Sequence, residues 1–185
     1  MLKHLHVLPS CIVLFQDIEW NDPQWTDKQK QCATLIQQLK NSLQVKLLNK
    51  NLINKTRSFE VILLFQDRYT RIAVVLLQKS SQSLANDDLL ASERAASLSS
   101  LCGMNAKQLF LLSYNDPHLL GYTIRLESAF LELAQSYYIQ MLKQIRVHRD
   151  QLAGAHQTLK VRHQFKMGFL SEMRFDSSTA LKLVY

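Results

Sequence analysis

Apolar positions along this chain follow two rhythms. Residues 7–16 (VLPSCIVLFQ), 72–78 (IAVVLLQ) and 108–113 (QLFLLS) are short continuous apolar runs, as in strands buried on both faces. Elsewhere apolar residues recur every three or four positions, as in amphipathic helices. Asp22 is expected to cap a first helix, with Pro23 at its first position and its end near Leu43. Cys32, Leu35, Ile36, Leu39 and Leu43 mark its inward face. A second helix, capped by Asp87 or Asp88, is expected over 89–102 with Leu90, Ala95, Leu98 and Leu101 inward and Gly103 at C′. Asp116 and Pro117 repeat the opening device. The helix they start carries Leu119, Tyr122, Leu126, Phe130, Leu133, Tyr137, Met141 and Ile145 in step to about Asp150, about 50 Å at the standard rise. Gly154 separates it from a helix over 157–171 containing Leu159, Val161, Phe165, Phe169 and Leu170. Asp176 caps a final helix from Ser177, with Ala180, Leu181 and Val184 inward.

Strands alternating with amphipathic helices predict an α/β fold: a small parallel, Rossmann-like sheet with flanking helices and right-handed crossovers. Residues 1–116 form this region, and 117–185 hold a long helix and a helical hairpin. Three strands make a small sheet and the hairpin lacks a partner, so the sequence reads as a piece of something larger. Residues 45–66 (VKLLNKNLINKTRSFEVILLFQ) break the pattern. They read either as an added helix-and-strand unit, with FEVILLFQ as the strand, or as a translated retained intron. Their removal joins NSLQ to DRYTRIAVVLLQ by a connection of ordinary length.

The composition, 47% hydrophobic and 20% charged with 4 Gly and 3 Pro in 185 residues, excludes wholesale disorder and low-complexity chains. The opening MLKHLHVLPSCIVLFQ looks superficially like a signal peptide. Pro9 interrupts it, no small-residue cleavage site follows, and Asp17 and Glu19 come next, so a strand is expected. No run reaches the ~18 apolar residues of a membrane span, and a soluble protein is expected. Three scattered cysteines, Cys11, Cys32 and Cys102, do not make a disulfide framework and suit a reducing compartment. The formal net charge is +7. Its basic residues are spread over helices and loops rather than clustered, so solvated faces are expected and nucleic acid is not a predicted partner.

A parallel sheet invites a nucleotide, but the first strand-to-helix turn, DIEWNDPQW, has no glycine and holds several acids. Neither GxGxxG nor GxxxxGK[ST] occurs. His4 and His6 lack a nearby partner pair, and His148, His156 and His163 are scattered. With no CxxC or HExxH, no metal is predicted, and these histidines read as ordinary surface or interface residues. Cys11 and Cys102 read as core thiols, no GxSxG elbow appears, and Glu93–Arg94 reads as a helix ion pair or exposed charge. No enzyme and no cofactor are expected. Trp20 and Trp25, which bracket the NDP turn, are either an interface anchor or a cover over the core edge.

The stretches LFQDIEWNDPQW, RIAVVLLQ, ASERAASL, HLLGYTIRLESAFLELAQSYY and VRHQFKMGFLSEMRFDSSTALKLVY resemble the N-terminal part of the foie gras/gryzun family, the subunit-11 family of the trafficking protein particle (TRAPP) complex. LGYTIRLESAF and VRHQFKMGFLSEMRFD are the most specific, and residues 45–66 stand outside the likeness. The resemblance implies a fragment or incomplete gene model holding an α/β region and the start of the foie gras α-solenoid. It implies a non-catalytic scaffold subunit of a tethering and Rab-exchange complex in ER–Golgi and Golgi transport, with links to autophagy. Implied partners are other TRAPP subunits and, indirectly, a Rab GTPase. The implied location is cytoplasmic, on Golgi and ER–Golgi intermediate membranes as a peripheral protein. The competing readings are an α/β nucleotide-binding domain or another protein-interaction module. Stacked helix pairs need neighbours, so Phe165, Phe169, Phe175 and Val184 are expected to be partly uncovered and the isolated chain to self-associate. Trp20, Trp25, Phe165, Phe169 and Phe175 are the candidate interface residues.

Overall fold

The computed structural model describes residues 9–53, 70–79 and 85–184. The elements in order are β1 (Cys11–Gln16), α1 (Trp25–Ile53), β2 (Arg71–Gln78), α2 (Ala85–Leu101), β3 (Leu109–Ser113), α3 (Leu119–Gln151), α4 (Gln157–Glu172) and α5 (Ser177–Val184). Single 3-10 turns, Ala106–Gln108 and Gly154–His156, precede β3 and α4. The chain divides into two compact units, one holding residues 11–53, 72–79 and 85–130, the other residues 9–10, 70–71 and 131–184.

In the first unit the sheet has the order β1-β2-β3, and β2 runs parallel to β3 with Val74 opposite Leu109 and Gln78 opposite Ser113. The expected small parallel sheet with flanking helices is therefore present. β2 is the central strand, and Ile72 to Leu76 are all buried on its two faces. Ile72, Val74 and Leu76 pack with Ile18, Trp25, Cys32, Ile36, Leu98 and Cys102 from the α1 and α2 side. On the alternate face Val75 and its register partner Phe110 lie side by side. Phe130 of α3 meets Phe110 edge-on at 5.6 Å, the geometry the ring quadrupoles favour.

Several boundaries move. α1 continues past Leu43 to Ile53, so the opening of the 45–66 segment extends that helix. FEVILLFQ lies outside the described residues, as do residues 7–8 of the first predicted strand. α2 starts at Ala85, which puts Asp87 and Asp88 inside its first turn instead of at the cap. Leu35, Leu101 and Leu181, expected inward, are exposed. Leu35 lies at the margin of the stripe centred on Cys32 and Ile36. Cys102 fills the core place assigned to Leu101, and Ala180 and Leu183 turn α5 inward along a line that leaves Leu181 out.

The second unit is a helical assembly around Tyr137, Tyr138, Met141, Leu142, Ile145, Met167 and Leu170. The buried stripe of α3 widens here beyond a three-or-four step, which brings in Tyr138 and Leu142, both off the predicted line. Tyr137 and Tyr138 meet edge-on at 5.3 Å. α4 and α5 pack closely at Gly168, where a Cβ would stand 2.6 Å from Val184 Cγ2. Asp176 caps α5 as expected, its Oδ1 accepting from the Thr179 amide at 3.1 Å.

Two helices end by the same backbone device. After α2, Gly103 takes a left-handed φ of 56°, and the Met104 amide donates back to Ser99 O at 2.9 Å. After α4, Phe175 takes φ 61°, and the Asp176 amide donates back to Ser171 O at 3.0 Å. Both close the helix by the Schellman pattern, for which glycine is the unstrained choice. Phe175 is 77% exposed, so its ring adds little packing to offset the strain. Phe175→Gly is expected to raise stability by ~0.5–1 kcal/mol, and Gly103→Ala to lower it by about 1 kcal/mol. Chemical denaturation of the two variants checks both signs.

Candidate functional site

Parallel sheets place ligands beyond the carboxyl ends of their strands, where the strand order reverses. In this sheet the strands follow one another in chain order, without a reversal among the described strands. The turn from β1 into α1 nevertheless gathers polar contacts from β2 and α2. Gln78, at the end of β2 and buried, donates Nε2 to Ile18 O at 2.6 Å and accepts the Trp20 amide on Oε1 at 3.2 Å. One side-chain amide thus satisfies both a carbonyl and an amide that leave the ladder.

Arg94 of α2 reaches the same turn. Its Nη1 donates to Trp20 O and, at 3.3 Å, to Asp22 O, and its guanidinium lies 5.0 Å from the Trp25 ring centroid. Trp20 packs against Trp25 with centroids 5.4 Å apart. Arg94 is therefore neither an exposed charge nor half of an ion pair with Glu93 in its described contacts. It clips two carbonyls and stacks on an indole, for which a planar guanidinium is suited. Asp22 Oδ1 accepts from the Gln24 amide at 2.8 Å and Oδ2 accepts from Lys28 Nζ. The Lys28 hydrogen bond and then the Gln24 amide hold the Asp22 carboxyl below the usual carboxylate range, and Asp22 in turn raises Lys28. Lys79 and Glu19 approach to 3.5 Å at the rim.

The Asn-Asp-Pro repeat folds identically at both places. Asp116 Oδ1 accepts from the His118 amide at 2.7 Å, as Asp22 does from Gln24. The amides of Trp25 and Leu119 each donate at 3.1 Å to the carbonyl of the preceding Asp. Each aspartate closes a turn just ahead of its helix, which then begins at Trp25 or Leu119.

In the second unit the conspicuous polar group is a histidine pair. His163 is buried, and its Nδ1 lies 2.8 Å from Leu159 O, so this nitrogen carries the proton. His163 Nε2 is then an acceptor, and His148 Nδ1, at 2.8 Å, is its donor. Arg149 donates to Gln164 Oε1 at 2.8 Å one residue along. Spacing alone missed this pair, because its members sit on different helices and neither belongs to a motif. Burial lowers the His163 pKa, with Lys166, His148 and Arg162 adding repulsion and the Leu159 carbonyl opposing them.

Of the five candidate interface residues, Trp25 is buried, Trp20 half-buried against it, and Phe169 half-buried beside the second core. Phe165 (52%) and Phe175 (77%) are exposed, together with Val161 and Leu181. Among the described residues no group of three or more His, Cys, Asp or Glu is placed to hold a metal ion, and no helix is long and apolar enough to cross a membrane.

The chain is 40% identical over 183 residues to trafficking protein particle complex subunit 11 of Gallus gallus, and equally so to the Bos taurus and Homo sapiens proteins. The match takes in 98% of this chain but 14% of each relative, so the chain spans about one seventh of their length. No family model matches. The likeness carried by LGYTIRLESAF and VRHQFKMGFLSEMRFD belongs to a match that spans 98% of this chain at 40% identity.

Arg94→Ala leaves two carbonyls without their donor and is expected to cost ~2–3 kcal/mol, with Arg94→Lys recovering part of the loss. Urea denaturation checks the order. The depressed His163 pKa means that the unfolded chain binds its proton first as pH falls. Stability contributed by neutral His163 is expected to be complete above the ordinary histidine value, about 6.5, and to fall as pH drops below it. Denaturation at pH 7.5 and 5.5 reads this slope, which His163→Gln is expected to flatten.

Proposed function

We propose, for a chain 40% identical over 98% of its length to a segment of trafficking protein particle complex subunit 11, a non-catalytic scaffold role in the TRAPP tethering and Rab-exchange complex. Its partners are other TRAPP subunits. Its connection to a Rab GTPase is indirect, and its contact with Golgi and ER–Golgi membranes is made through the assembly. Residues 117–185 act as the start of a helical solenoid that further helices cover.

The observation that carries this reading is the 40% identity over 183 residues to the three subunit-11 proteins. The site geometry supports it. At the strand-to-helix turn, Gln78, Arg94, Asp22 and Lys28 spend their polar groups on the chain's own backbone and on one another. The second unit instead presents Phe165 and Phe175 to solvent, the kind of aromatic residue that anchors protein interfaces. Solenoid repeats bury such faces against the next repeat.

Affinity capture of the tagged chain from cells is expected to recover small TRAPP subunits in stable proportion. The variant Phe165→Ser/Phe175→Gly is expected to lose them at least tenfold while keeping its helical circular dichroism. Capture without any TRAPP subunit, at wild-type expression, overturns the assignment.

A further inference from the structure

We infer that His148 and His163 form a proton-counting latch between α3 and α4, tightened when one proton joins the pair and released when two do. The hydrogen bond between them crosses from one helix to the other, His148 Nδ1 to His163 Nε2 at 2.8 Å. The ring centroids stand 4.9 Å apart with planes 30° from one another, so the imidazoles meet nearly end to end. One hydrogen fits on the line between two such nitrogens, and an imidazole gains its second N–H as pH falls.

The Leu159 carbonyl sets the order of events. It accepts from His163 Nδ1 at 2.8 Å, so a further proton on His163 has to enter at Nε2, the acceptor of the pair. His163 is buried and His148 half-buried. The first proton therefore enters at His148 Nε2, on the more exposed ring and away from the shared hydrogen. His148 then donates as an imidazolium, and a charged donor makes the shorter and stronger hydrogen bond. A second proton, on His163 Nε2, sets N–H against N–H. The bond is lost, and two like charges face each other in a contact largely shielded from water.

The surroundings set the second step apart from the first. Among the described residues, the charged or titratable groups acting on His163 are Lys166 and Arg162 of α4 and His148 of α3. Burial opposes its charge first and these neighbours add to that, so the second proton enters below the ordinary histidine value, about 6.5. Asp150 is taken up by Arg149, which also donates to Gln164 Oε1 at 2.8 Å. α5 meets α4 at Gly168 with Ala180, Leu183 and Val184, none of which titrates. Release acts on the same pair of helices that buries Tyr138, Met141 and Ile145 of α3 with Met167 and Leu170 of α4. The α4–α5 contact at Gly168 holds no part of the latch, so these two helices loosen from α3 together.

Ring nitrogen-15 shifts of both histidines in the full chain are followed from about pH 8 to about pH 4.5. Amide hydrogen exchange, corrected for its intrinsic pH dependence, is read alongside by mass spectrometry. His148 is expected to take the first proton while His163 Nε2 keeps the shift of a hydrogen-bond acceptor and α4 exchanges slowly. Once His163 Nε2 is protonated, exchange in α4 is expected to rise about tenfold or more, with β2 unchanged. His148→Gln, whose amide still donates to His163, is expected to remove the first step and keep the second. His163→Gln, whose carbonyl still accepts from His148, is expected to abolish the acid-induced exchange. Should His163→Gln lose its helical circular dichroism at neutral pH, the titration of the unaltered chain decides. A His163 titration curve unmoved by His148→Gln overturns the proposal, as does slow exchange in α4 with both imidazoles fully protonated.

Discussion

The sheet-bearing unit depends on the exclusion of water from the middle of β2. Ala73, Val74, Val75 and Leu76 are wholly buried, so each peptide group there must find its partner in a neighbouring strand. Where the ladder stops, side chains take over. Gln108 Nε2 donates to Ile72 O at one end, and Gln78 serves Ile18 and Trp20 at the other. Arg94 then serves the next carbonyls along the turn. A line of amide and guanidinium groups thus extends the satisfaction of backbone polar atoms into the first connection. The apolar layer of Ile18, Trp25, Ile36 and Leu98 can close over it without stranding a donor or acceptor.

This explains what was legible in the residues. The three strands and the five helices follow directly from apolar period, because burial on two faces and burial on one face leave different spacings. Gly103 was legible because glycine is the unstrained residue for the left-handed closing turn. Phe175, in the same backbone state, carries no such signal, since nothing in a phenylalanine announces a positive φ. The true end of α1 lies about ten residues past the expected Leu43 and the start of α2 four residues before the expected 89, where capping signals compete with ordinary helix propensity. The inward assignments of Leu35, Leu101 and Leu181 failed at stripe edges, where one step of 100° decides burial.

The candidate site was half legible. Trp20 and Trp25 stood out by type and position, and the repeated Asn-Asp-Pro turn by its recurrence. Arg94 and Gln78 did not, because their roles are contacts across more than fifty residues to backbone atoms, which leave no side-chain pattern. The His148–His163 hydrogen bond was hidden for the same reason: it is a fact of helix packing. The family likeness rested instead on long specific stretches. It holds over 98% of the chain while covering 14% of subunit 11, so the folded core described here is one portion of a far longer architecture in those relatives.

The left-handed turn at Phe175 has a consequence for molecular recognition. Its backbone is fixed from both sides, by the hydrogen bonds that the Phe175 and Asp176 amides donate to Glu172 O and Ser171 O and by the Asp176 cap of α5. The loss of main-chain freedom has already been met during folding. A surface that docks on this ring therefore restricts little beyond its two side-chain torsions, and such preorganised anchors slow departure more than they hasten arrival.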